Sequence, residues 1–384
     1  MPSPSKCVAR FNTDDLAATF KARGWSMIPM FSHDHVKTVS SEDIKNYVNF
    51  VDWFVSRYRT DANIRYVELV NAPVLWWKGT KEQLAELNNK VYERIKGKYP
   101  DIMVGTPGFE YWVDTSPDDK SVQEIEFFLD KRNNVKFDYW AFHGYPAADF
   151  DSIAVKKIAA FYPPSKKAVT NKYAGPAGII ELRKKLDANG WTDRVIIDSE
   201  HTNIMSKAKP SVSDDEDILD VAYTVQELVI KRTLTVNGRP ALRGIIPLKI
   251  GPRGNRGEFM FASLKPDGSP TMTVRAVGLL VSKLKEFNYS SHVSGEFDAE
   301  DQPWIEKFTS DRRELYVFFK PFVFQKGREI EFDGQTVTYK LTFRTKPSSI
   351  VLTSASGKVS YPPPGPFMVL DATNTPQYLE VQYE

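Results

Sequence analysis

The chain has 384 residues, 41% hydrophobic and 26% charged, with a net charge of +2. That length buries a sizeable core and holds one large domain with a smaller one, and the near-neutral charge excludes the electrostatic footprint of a nucleic-acid binder. A single cysteine, Cys7, excludes an intrachain disulfide and a cysteine-built zinc site, and no run reaches the roughly 18 apolar residues of a membrane span.

In chain order, residues 14–23 (DDLAATFKAR) read as a short helix stopped by Gly24. Residues 25–31 read as a buried strand running into the polar turn Ser32–His35. Ser41 opens a longer helix through Tyr58 with Val48, Val51, Phe54 and Val55 on one face, and a strand over 66–70 follows. The alternation then repeats. Helices are expected over about 81–98, 121–132, 153–161, 178–189, 217–235 and 273–287, and strands over 101–105, 137–143, 194–198 and 242–250. Short apolar strands alternating with amphipathic helices indicate a parallel sheet covered on both faces.

Six such strands with polar or aromatic residues at their C-terminal ends fit a TIM-type (β/α)₈ barrel better than an open dinucleotide-binding sheet. No Gly-x-Gly-x-x-Gly follows any strand, and no cofactor is expected. Only a stub at residues 7–11 stands where the first one or two strands belong. An incomplete barrel exposes strand edges, which predicts a second copy or a partner chain covering them, a rearranged terminus, or a fragment of a longer protein. From about Glu314 the pattern changes to short β-runs separated by turn signals, so we expect a barrel over 1–290 and an antiparallel β-sandwich over 291–384. Residues 1–6 have no apolar stretch behind them, so no signal peptide is expected. The compartment stays open, secreted or extracellular included, because a missing N-terminus would take any signal peptide with it.

Several segments share a likeness. Residues 65–77 (RYVELVNAPVLWW) form an apolar strand ending in Asn71, Ala72 and Pro73, followed by Trp76 and Trp77. Residues 142–145 read FHGY, residues 195–200 read VIIDSE, and residues 374–380 read NTPQYLE. Together with the 257–265 stretch ahead of the last barrel helix, these resemble, in order and spacing, clan-A retaining glycoside hydrolases of family 39 and its relatives. β-Xylosidases and α-L-iduronidases are among them. The resemblance implies that Glu200, at the end of the seventh strand, is the nucleophile. The fourth strand of the family ends in Asn-Glu-Pro, and that glutamate is its general acid/base. Here the position is Ala72.

The chemistry of such a site needs two carboxyl groups about 5–5.5 Å apart, one attacking the anomeric carbon and one protonating the leaving oxygen. By the same resemblance Tyr145 would orient the Glu200 carboxylate, Asn71 would contact the sugar 2-hydroxyl, and His143 and His33 would line the site. Trp76 and Trp77 would offer flat faces to a sugar ring. Plainer readings stand beside these: Glu200 as a surface carboxylate, His143 and Tyr145 as satisfied core or rim residues, the tryptophans as a barrel cap. His33, Asp34 and His35, with His201, invite a metal, but neighbours on one turn rarely converge on an ion and none is expected. Glu68 shares strand parity with Ala72 one layer lower and reads as a buried hydrogen-bonded carboxylate rather than a replacement acid.

Ala72 departs from the family, as do the missing start and the lack of a tryptophan near the end of the eighth strand. A lost general acid removes roughly 10²–10⁴ in rate, about 3–5 kcal/mol. Three independent departures point to a natural relative that has lost or changed its activity, although a deliberate substitution at 72 would leave no other trace. The expected function is therefore glycoside hydrolase-like action on, or binding of, β-linked oligo- or polysaccharides, impaired at position 72. The alternative is a non-catalytic carbohydrate-binding or structural subunit on a degenerate barrel.

Overall fold

Gly24 ends the first helix because it alone takes up the left-handed turn, at φ 63°, that lets Trp25 N–H return to Phe20 O at 2.9 Å. In this computed structural model, residues 13–32, 39–110, 120–144, 175–201, 214–247, 269–294, 302–321 and 335–384 are described. The Cys7–Phe11 stub, the 153–161 helix, the 257–265 stretch, His33 and Tyr145 lie outside them. The chain forms two compact units, Met1–His143 with Leu182–Ser199 and Gly144–Glu181 with Glu200–Glu384.

In the first unit α1 (Thr13–Arg23) leads to β1 (Met30–Phe31). The strand expected over 25–31 shrinks to these two residues because the glycine turn consumes Trp25, which packs on Phe20 and stays 50% exposed. Capping boxes at Ser40 with Asp43 and at Thr80 with Gln83 start α2 (Ser41–Tyr58) and α4 (Lys81–Lys98). Between them run β2 (Tyr66–Asn71) and a single turn, α3 (Pro73–Trp76). Then come β3 (Met103–Glu110), α5 (Lys120–Leu129), a 3-10 turn at Lys131–Asn133, β4 (Tyr139–His143), α6 (Gly175–Ala188) and β5 (Val195–His201), whose last two residues fall in the second unit. Strands β1 to β5 pair in parallel in sequence order. β3 runs on past Gly105, where the expected strand stops, through Thr106 and Pro107. Gly105 is there to admit the Tyr139 ring, which a Cβ would meet within 3.0 Å. The apolar faces of α2 and α4 (Val51, Val55, Leu87, Val91) are buried, as are Val67 and Leu69 of β2.

The second unit carries α7 (Asp214–Thr233), the short β6 (Thr235–Val236) and β7 (Arg239–Pro240), β8 (Gly244–Pro247) and α8 (Met272–Leu284). β8 is the sixth member of the sheet order β1-β2-β3-β4-β5-β8. The antiparallel part follows as β9 (Asn288–Ser294), β10 (Trp304–Ser310), β11 (Arg313–Phe319), β12 (Val337–Thr342), β13 (Ser349–Ser354), β14 (Val359–Ser360), β15 (Phe367–Ala372) and β16 (Gln377–Gln382). Its sheet order is β14-β13-β16-β11-β10-β9, and β12 and β15 pair separately. Tyr316, Phe318 and Leu379 from the large sheet share one core with Leu341, Leu370 and Ala372 from the pair, which makes a two-layer sandwich. The antiparallel pattern thus begins before Glu314. β9 is largely exposed and lacks a two-residue apolar alternation, so its sequence gave no strand signal. Within this unit Gln226 of α7 donates to Lys320 O at 3.1 Å and Asn374 O at 2.6 Å, and Thr233 bonds Glu306 of β10 at 3.2 Å. The architecture is a partial (β/α) barrel with a C-terminal β-sandwich.

Candidate active site

Parallel pairing places the ends of β2, β3 and β4 on one edge, with Asn71 and His143 at two of them. β2 does not end smoothly. Val70 and Ala72 both sit in the left-handed region, at φ 43° and 42°, and the pairing with β3 slips between Leu69 and Asn71. Such conformations in non-glycine residues cost on the order of 1–3 kcal/mol each and persist only where the surroundings enforce them. Asn71 lies between the two. Its Oδ1 is enclosed and accepts no hydrogen bond from any described residue.

One layer below Ala72, Glu68 is 1% exposed and its Oε1 lies 3.4 Å from Nε2 of His143, itself 3% exposed. Gly108 makes room for the pair, since a Cβ there would come within 3.0 Å of both groups. Tyr47 and Tyr139 feel the charge of that carboxylate. Burial first, and then the charge of Glu68, push both phenols up, so they remain protonated donors. Tyr139 donates to Val67 O at 2.9 Å and Tyr47 to Phe31 O at 2.8 Å. The barrel interior at this level is therefore a hydrogen-bonded polar layer.

Beyond Ala72 the two tryptophans separate. Trp76 is 45% exposed, whereas Trp77 is 1% exposed with its Nε1 donating to Thr80 O at 2.9 Å. Ala72 is buried and is the N-cap of α3 with no side-chain cap, as a methyl group must leave it. In the second unit Glu200 is half-buried, one residue before the end of β5. Gly108, Tyr47 and Lys120, which shape this region, escape a reading of the sequence. Only Gly108 carries a signal there, a glycine inside a strand that marks a close approach.

No described helix is long and apolar enough to cross a membrane. No protein-family model matches the chain and no curated protein matches it in sequence. Solved structures do match in fold. A family 39 glycoside hydrolase from the gut symbiont Bacteroides cellulosilyticus WH2 aligns with a TM-score of 0.68 and 15% identity over 98% of this chain and 71% of its own. A glucosidase from Croceicoccus marinus aligns with a TM-score of 0.60 and 14% identity over 97% of this chain and 81% of its own. A family 44 xyloglucanase from Paenibacillus polymyxa gives 0.56 and 15% over 87% and 70%. The partial barrel and the β-sandwich thus have the fold of these solved structures.

Proposed function

We propose that this chain is a glycoside hydrolase-like protein of the retaining type that acts on or binds β-linked glycans, with Glu200 as nucleophile and its acid/base position occupied by Ala72. The observation that carries the reading is the end of β2. Two left-handed residues, Val70 of β2 and Ala72 just past its end, flank Asn71, at the place where the resemblance puts the acid/base. Strain of this kind gathers at sites where a side chain must be aimed. Asn71 Oδ1, which accepts no hydrogen bond from any described residue, supports a contact with a sugar hydroxyl, and Trp76 is exposed enough for stacking. Trp77, packed away, serves as a cap. His143 would act from behind the edge through its contact with Glu68, and Tyr145 and His33 are carried by the resemblance alone. On this reading the domains are 1–290 and 291–384, with a glycan as the partner.

The test is a pair of substitutions. Ala72→Glu introduces no new backbone demand, because alanine and glutamate share the Cβ that makes φ 42° costly. The expected result is gained or raised hydrolysis of an aryl β-glycoside, abolished again when Glu200→Gln is added. No gain in an Ala72→Glu protein with unchanged circular dichroism and melting temperature removes catalysis. The methyl group at 72 itself favours a second reading, a binding or structural subunit. Calorimetry showing glycan affinity in the unaltered chain, with Ala72→Glu inert, selects it.

A further inference from the structure

We infer that Tyr47 of α2 and Lys120 of α5 are positioning residues that hold the 70–77 turn in its strained form and so aim positions 71, 72 and 76. This role rests on the reading of that turn as the sugar-facing end of β2.

The turn lacks the usual means of holding itself. Ala72 offers α3 no side-chain cap, and α3 is a single turn closed by Trp76 N–H to Ala72 O at 3.1 Å and Trp77 N–H to Pro73 O at 2.9 Å. Its restraint comes from distant helices on either side. Ahead of position 72, the Val70 N–H, turned out of the strand ladder by its left-handed φ, donates to Tyr47 Oη at 3.0 Å. That hydroxyl donates in turn to Phe31 O on β1, so the kink is tied to the neighbouring strand through a buried side chain. Behind position 72, Lys120 Nζ donates to Trp77 O at 2.7 Å and reaches Pro73 O at 3.4 Å. A cation is the group that suits the carbonyl end of a helical turn. Lys120 is itself held by the buried Glu124 carboxylate at 3.4 Å. Two donor-acceptor clamps, at Val70 on one side and at Pro73 and Trp77 on the other, therefore bracket the turn.

The experiment has two arms. Hydrogen exchange of the 66–77 peptide, on the chain as it stands, is expected to speed up about tenfold or more in Tyr47→Phe and Lys120→Met. Lys120→Arg, which keeps a donor, is expected to restore slow exchange. In the Ala72→Glu background the same two removals are expected to lower kcat for an aryl β-glycoside about tenfold or more, with KM changed less. A residue that merely stabilises would shift the melting temperature and leave kcat in place. Unchanged exchange overturns the clamp whether or not the protein turns over sugar. Faster exchange with unchanged kcat overturns the positioning role. An inactive but folded Ala72→Glu protein overturns the reading of the site and the positioning role with it, while the exchange result still reports on the clamp by itself.

Discussion

Gly108→Ala adds one methyl group against two buried polar side chains. Its Cβ would come within 3.0 Å of both His143 Nε2 and Glu68 Oε1. Each is the far end of a side chain, and at 3% and 1% exposure neither can retreat into solvent without opening the packing around it. Forcing a methyl into a packed interior costs about 1–3 kcal/mol. Parting a buried carboxylate from its imidazole partner adds roughly 1–3 kcal/mol for the acceptor left behind. The expected loss is therefore about 2–6 kcal/mol, read by urea unfolding followed through tryptophan fluorescence and circular dichroism. Glu68→Ala removes one of the two obstructions. The double variant should then be less destabilised than the sum of the singles, with a coupling of about 1 kcal/mol or more. Additive effects within about 0.5 kcal/mol, or a neutral Gly108→Ala, would refute the close approach of these three residues and the polar layer built on it.

Two further outcomes follow from the same geometry. Trp77→Ala should cost about 3–5 kcal/mol in unfolding because the ring is fully enclosed, while Trp76→Ala should leave stability within about 0.5 kcal/mol and weaken glycan binding about tenfold, checked by melting curves and calorimetry. In the sandwich, burial raises the Glu314 carboxyl, but hydrogen bonds from Lys307, Tyr316 and Tyr383 outweigh it and hold it below its ordinary value of 4.5. A depressed carboxylate contributes stability that is present above that value and lost as the pH falls through its folded value. Melting temperature should therefore drop on acidification below about pH 4.5, and Glu314→Gln should flatten that slope.

Local physics made much of the chain legible. The apolar spacing of α2 and α4, the Ser40 and Thr80 capping boxes and the apolar run of β2 all depend on neighbours within one or two turns, so residues 41–58, 81–98 and 66–70 read correctly without coordinates. The end of that strand at Asn71, followed by Ala72 and Pro73, was likewise visible. What the residues could not declare is where the backbone bends and what meets across it. The left-handed φ of Val70 has no signal in a β-branched residue, and its N–H meets the hydroxyl of Tyr47, 23 positions away. The Glu68–His143 contact spans 75 positions, and Trp76 and Trp77, chemically identical, divide into an exposed ring and a buried one. Periodicity and capping are properties of a short stretch of chain. Which buried polar groups share a layer, and which side chain faces solvent, follows from strand register and packing, and these exist only once the sheet has assembled.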